Sequence, residues 1–130
     1  MLKFNKELLM ITKHGVFALG LAIGSLAASA AHAHVKIDVA EPKANSELSV
    51  APKAISLHFN ETLEPAFSKI VLLDAKNATI KLPKAVLDQA NAKILSTQLP
   101  VLRTGQYLVR WSTMSRDGHK VKGEYRFSVR

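Results

Sequence analysis

The chain contains no cysteine. That excludes disulfides, thiolate nucleophiles, zinc–cysteine knots and copper–thiolate centres, so an apolar core must supply the stability. Aromatic residues make up only 6%, and Trp111 is the single tryptophan. The lysines are scattered without an interleaved aromatic stripe, which argues against a nucleic-acid partner and for solvated faces and blunted strand edges. No nucleophile–base constellation is visible: Ser112, Thr113 and Ser115 lie near His119 in sequence, but nothing supplies an oxyanion hole. Beyond residue 33, no apolar run approaches the roughly 20 residues a helix needs to span a bilayer. The product after that point is expected to be soluble.

Residues 1–33 carry the three parts of an export signal. Lys3, Lys6 and Lys13 form a basic front, the stretch 15–31 is uncharged and apolar, and Ala31-His32-Ala33 offers small residues where a signal peptidase reads. A secretory signal peptide over 1–33, cleaved after Ala33, is therefore expected. Removing 33 of the 130 residues leaves 97, with 15 Lys and Arg against 9 Asp and Glu, a formal charge of +6. That length makes one small domain, 34–130, too little for a two-domain enzyme with a dinucleotide fold.

Short runs with two-residue alternation recur between turn signals in 34–130. Val35, Ile37 and Val39 share one face of the first run; Ile55, Leu57 and Phe59 share a face of the second. Further runs are Ile70–Leu73, Ile80–Leu82, Ile94–Leu99, Tyr107–Trp111 and Glu124–Arg130, separated by segments such as Asp74–Asn77 and by Pro83 and Pro100. Strand side chains alternate between faces, so each run has a core side and a wet side. About seven strands spaced by turns predict an all-β fold, a two-sheet antiparallel Greek-key sandwich of Ig-like type. The stretch 84–93 reads as a loop rather than a helical turn.

Gly105 stands two residues before Tyr107 at the start of a strand, the pattern of a tyrosine corner, in which the phenol bonds back to the backbone. Trp111, four residues on and on the same face, is expected to be the central core plug.

Candidate chemistry is concentrated in three places. Cleavage after Ala33 makes His34 the first residue, and a free amine followed directly by an imidazole is a two-nitrogen chelate on one residue. A first-position histidine is either such a ligand or simply the point where the peptidase cut. Ser115-Arg116-Asp117-Gly118-His119 reads as an ordinary Asp-Gly hairpin turn. Yet Asp117 and His119 are two apart, so both side chains leave the same side of an extended segment. Three nitrogens and one oxygen from His34, His119 and Asp117 would suit the tetragonal geometry of Cu2+. Glu61, just past a strand, is an exposed loop carboxylate, a weak axial ligand or a hydrogen-bond acceptor beside the ion. His58 alternates onto the polar face of its strand.

These stretches resemble the CopC-like copper-resistance family of periplasmic proteins, the CopC/YobA group. The resemblance runs through nearly all of 34–130. It rests on His34, the Pro42 turn, Ile55-Ser-Leu-His-Phe-Asn-Glu61, Gly105-Gln-Tyr-Leu-Val-Arg-Trp111, Ser115-Arg-Asp117-Gly-His119 and Gly123-Glu-Tyr-Arg-Phe-Ser-Val. It implies a Greek-key sandwich and tight binding of one Cu(II) per chain. His34, Asp117 and His119 are the implied ligands, and Glu61 matches an acidic position near the copper. It further implies a periplasmic carrier or buffer that is no enzyme, a monomer whose partners are the copper ion and an inner-membrane copper transporter. One departure is plain: some members carry a methionine-rich loop for cuprous copper, a soft ion that prefers thioethers, whereas Met114 is the only methionine after residue 33.

Two other readings stand beside this one. Polysaccharide monooxygenases, oxidative copper enzymes, also use a terminal histidine with a second histidine; an in-plane Asp117 would fill the position that oxygen needs, and 97 residues leave little area for a flat polymer-binding face. A metal-free sandwich module, drawing acidic partners to its basic surface, is the third.

Overall fold

The computed structural model describes residues 34–130; the export signal expected over 1–33 lies outside the described residues. Among the described residues, nine strands form two sheets. They are β1 (Ile37–Glu41), β2 (Ser46–Leu48), β3 (Ala54–Phe59), β4 (Lys69–Leu73), β5 (Thr79–Ile80), β6 (Val86–Leu87), β7 (Ile94–Gln98), β8 (Gly105–Met114) and β9 (Lys120–Val129). One sheet has the order β1-β3-β7-β6 and the other β2-β9-β8-β4-β5. All seven expected runs contain a strand, though the Ile80–Leu82 run does so only at Ile80, in an all-β sandwich. The additional two are β2 and β6. Sequence patterning misses them because each is only two or three residues long, too short to show a period.

All pairings are antiparallel except β2 with β9, which run parallel. Asn45, at φ 60°, donates its N–H to the Arg126 carbonyl at 2.7 Å and so feeds β2 onto the β9 edge. The 84–93 stretch is a loop apart from β6, and Asp88 caps its turn by accepting the Ala90 and Asn91 N–H groups.

The core lies between the inner faces. Ile55, Leu57, Phe59 and Leu95 of the four-stranded sheet meet Ile70, Leu72, Tyr107, Val109, Phe127 and Val129 of the other. The period-two pattern of β3 is followed closely, with 55, 57 and 59 buried and 54, 56 and 58 half-buried. Each fully buried aliphatic side chain contributes roughly 1.5–3 kcal/mol.

Two expectations need correction. A β-bulge in β1 between Ile37 and Val39 breaks the alternation, so Val39 turns outward and is 44% exposed while Ala40 packs on the core. An extra residue in one strand reverses the faces beyond it. Trp111 is half-buried at the margin of the core rather than at its centre; it meets Phe59 of the opposite sheet edge-on, with ring centroids 5.1 Å apart. The tyrosine corner is present: Tyr107 Oη donates to the Arg103 carbonyl at 2.7 Å, and the Tyr107 ring stacks on Phe127, its register partner.

Candidate metal centre

The turn joining β8 to β9 is a three-residue hairpin loop. Ser115 N–H donates to the His119 carbonyl, Gly118 N–H donates to the Ser115 carbonyl, both at 3.0 Å, and Gly118 sits at φ 91°. This is the geometry of a turn followed by a left-handed residue, which favours glycine. The hairpin reading of Asp-Gly and the functional reading of Asp117 and His119 thus describe the same object.

Within the turn the two side chains meet. His119 Nδ1 lies 2.9 Å from Asp117 Oδ2, and both side chains are more than half exposed. The other carboxylate oxygen accepts the Ser115 hydroxyl and, more loosely, the His119 N–H at 3.4 Å. Ser115 is itself buried. The Ser115 hydroxyl first, and the His119 ring next, hold the Asp117 carboxyl down at about 2, because each stabilises the ionised form. A hydrogen bond from Nδ1 to the carboxylate directs the imidazole lone pair to Nε2, the arrangement by which carboxylates orient ligating histidines. For Asp117 to bind a metal through Oδ2, it must give up this contact.

The turn is seated firmly. Ser115 forms an isolated bridge with Leu63, and Glu64 N–H donates to the Met114 carbonyl at 2.9 Å. Behind it, the buried hydroxyls of Ser68 and Thr113 pair at 2.8 Å, and Ser68 also bonds the Glu64 carbonyl. The segment 60–64 therefore lies along the base of the turn.

The same segment holds the first of the described residues. Asn60 bonds Lys36 and His34: its Oδ1 accepts the Lys36 N–H at 2.9 Å and its Nδ2 donates to the His34 carbonyl at 3.1 Å. His34 is exposed, and in the 130-residue chain its nitrogen is an amide, joined to Ala33. Glu61 is half-buried, next to Asn60. Asn60 bonds His34, and three residues further along the same segment Leu63 bridges Ser115, so His34, Glu61, Asp117 and His119 lie toward one end of the sandwich. Asp117 and His119 are paired; among the described residues no three His, Cys, Asp or Glu side chains converge as a metal-holding group. His58 lies two residues before Asn60, near the same end of β3. It is half-buried in β3, with Val39 and Ile94 as its register partners.

Sequence reasoning did not single out Asn60, and it named Ser115 only as the head of the turn and as a hydroxyl near His119, not as a partner of Asp117. A serine two residues before an aspartate in a turn is a recognisable hydroxyl–carboxylate motif. Asn60 carries no such local signal, because both its partners lie 24 or 26 residues away.

Comparison with known proteins gives concordant matches. A family model described as the CopC domain matches residues 37–130. The chain is 36% identical over 115 residues to Protein YobA of Escherichia coli K12, covering 88% of this chain and 93% of that protein. It is 34% identical over 116 residues to Copper resistance protein C of Xanthomonas campestris pv. juglandis, covering 85% and 91%. The crystal structure of CopC from Methylosinus trichosporium OB3b aligns with a TM-score of 0.70 at 32% identity, covering 74% of this chain and 93% of that one.

Proposed function

The chain belongs to the CopC family, and from that membership we propose that it is a periplasmic Cu(II)-binding carrier or buffer of copper homeostasis and resistance. Residues 1–33 are its secretory signal, and 34–130 is the copper-binding domain. It takes one Cu(II) per chain through His34, Asp117 and His119, with Glu61 beside the ion. It is a copper-resistance family protein and not an enzyme.

The observation that supports this reading is the 60–64 segment, whose Asn60 bonds His34 and whose Leu63 bridges Ser115. It ties the expected mature terminus to the turn bearing Asp117 and His119. Signal cleavage converts the His34 amide into a primary amine, which can chelate together with its own ring. The His119 imidazole adds a third nitrogen and Asp117 an oxygen, a donor set suited to tetragonal Cu(II). The carboxylate charge also favours the cupric over the cuprous ion. With no cysteine and one methionine after residue 33, the domain has no soft donor pair for Cu(I). The protein works as a monomer, and an inner-membrane copper transporter is the acceptor.

The test uses protein whose amino terminus has been verified by mass spectrometry as His34. Electron paramagnetic resonance of the Cu(II) form is expected to show a tetragonal site with three nitrogens, and calorimetry a stoichiometry near one. Adding one residue ahead of His34 is expected to weaken binding sharply. Unchanged affinity in that extended protein would rule out the chelate.

A further inference from the structure

Residues 34–36 precede β1 and belong to no strand. They are nonetheless held by one residue. Asn60 accepts the Lys36 N–H through Oδ1 at 2.9 Å, donates to the His34 carbonyl through Nδ2 at 3.1 Å, and donates its own backbone N–H to the Lys36 carbonyl at 3.1 Å. A carboxamide carries an acceptor and a donor in one plane, so it stands in for a peptide group and adds a rung where the sheet has none. A carboxylate would offer acceptors only, and an aliphatic isostere neither.

We propose that Asn60 is a positioning residue of the copper site, setting the processed amino terminus in place before the ion arrives. The inference deepens the copper-binding reading above and rests on it. The physical basis is torsional. Val35 is buried, 4% exposed, and the Asn60 amide grips the His34 carbonyl on the preceding peptide. Together they fix the peptide plane that follows His34, and with it the His34 Cα. Both chelating nitrogens hang from that atom. One backbone torsion and two side-chain torsions are then left for copper to set. Without the Asn60 carboxamide, Val35 stays buried and the Asn60 N–H still bonds Lys36, but the His34 carbonyl and the Lys36 N–H lose their partner; each residue so released costs roughly a factor of ten in affinity to order.

Asn60 also explains how a chelate at the chain end meets a turn that follows β8. The residue that grips His34 begins the 60–64 segment, whose Leu63 and Glu64 bond to Ser115 and Met114. Terminus and turn share one support, so a displacement of either is resisted by the other.

The test is a double-mutant cycle in Cu(II) affinity, measured by chelator competition. Its members are protein beginning at His34, the same protein with one alanine ahead of His34, and Asn60→Ala in each. Asn60→Ala is expected to weaken Cu(II) binding on the order of 10- to 100-fold in the protein beginning at His34. In the extended protein, which lacks the amine–imidazole chelate on His34, it is expected to change affinity less than about twofold. The paramagnetic resonance spectrum of Asn60→Ala should also lose nitrogen coupling from the terminal amine. Equal losses in both backgrounds would mark Asn60 as merely structural, and no loss in either would remove it from the site; each overturns the assignment. Thermal unfolding of the metal-free proteins checks the fold. Should Asn60→Ala unfold, Asn60→Ser carries the same cycle under the same criteria. Absence of Cu(II) binding by the parent protein overturns the copper reading and this assignment with it. A binding parent with an unaffected Asn60→Ala overturns this assignment alone.

Discussion

Asp117 and His119 face each other across the β8–β9 turn, with Oδ2 of the carboxylate 2.9 Å from Nδ1 of the imidazole. The pair is assembled by the turn itself, since Gly118 at φ 91° lets the backbone fold the two side chains together. The carboxylate orients His119, and in the proposed copper site it would turn away to offer an anionic oxygen. Its low pKa serves both, because only the ionised form does either.

The same low pKa fixes a sign for the pH dependence. The folded Asp117 carboxyl lies near 2, below its ordinary value of 3.8, so its contribution to folding is present above that ordinary value and is lost as pH falls through about 2. Between pH 5 and 7 it is fully ionised and has no proton to release. In the proposed site, the ligating imidazoles and the terminal amine would have to release theirs on metal binding. Calorimetry of Cu(II) binding in buffers of differing ionisation enthalpy should therefore give the same proton release for Asp117→Asn as for the parent, despite weaker affinity. A fall of about one proton, well outside the spread expected for an already ionised group, would show that Asp117 is protonated in the metal-free protein.

Ser115 is the largest cause of that lowered pKa. Ser115→Ala should move the Asp117 carboxyl upward from about 2 toward 3.8, read directly from carboxyl carbon chemical shifts across an acid titration. A carboxyl still titrating near 2 in the variant would assign the effect to His119 instead.

Gly123 is the register partner of Trp111, and a Cβ there would lie 2.5 Å from the indole Cζ2. Gly123→Ala forces the ring off its seat against Phe59. Urea unfolding should show a loss of about 1–3 kcal/mol, the usual cost of overpacking, with a change in tryptophan fluorescence. Unaltered stability would mean that the ring has room to move.

Two tyrosines should respond oppositely to loss of the hydroxyl. Tyr107 Oη bonds the Arg103 carbonyl, so Tyr107→Phe should cost about 1 kcal/mol. Tyr125 Oη is buried without a hydrogen-bond partner among the described residues, and burial pushes its phenol pKa up. Tyr125→Phe removes a desolvated group and should be neutral or stabilising by up to about 1 kcal/mol. Denaturant midpoints of the two variants test the contrast, and a loss in Tyr125→Phe matching that of Tyr107→Phe would contradict it.

Much of the sandwich is legible in one dimension because burial on one sheet face imprints a period of two. Ile55, Leu57 and Phe59 show this, as does the Gly105–Tyr107 corner, whose partner is only four residues away. Where the backbone departs from the period, the pattern misleads. The β1 bulge puts Val39 outside although the spacing pairs it with Ile37. Trp111 looks like a central plug by size and parity, but it lies on a strand that runs past the core toward the turn. The Asp117–His119 pair could be read from spacing, since two residues in a turn meet through local geometry alone.

The amino-acid order by itself determined the all-β class, the buried face of most strands, and the residue types able to hold a metal, since each depends on neighbours close along the chain. Only the tertiary structure decided that Asn60 grips His34 and that Leu63 carries the same segment to Ser115. Those contacts join residues 26 and 52 positions apart, and no local pattern records them, because chain folding alone brings such distant groups within hydrogen-bond reach.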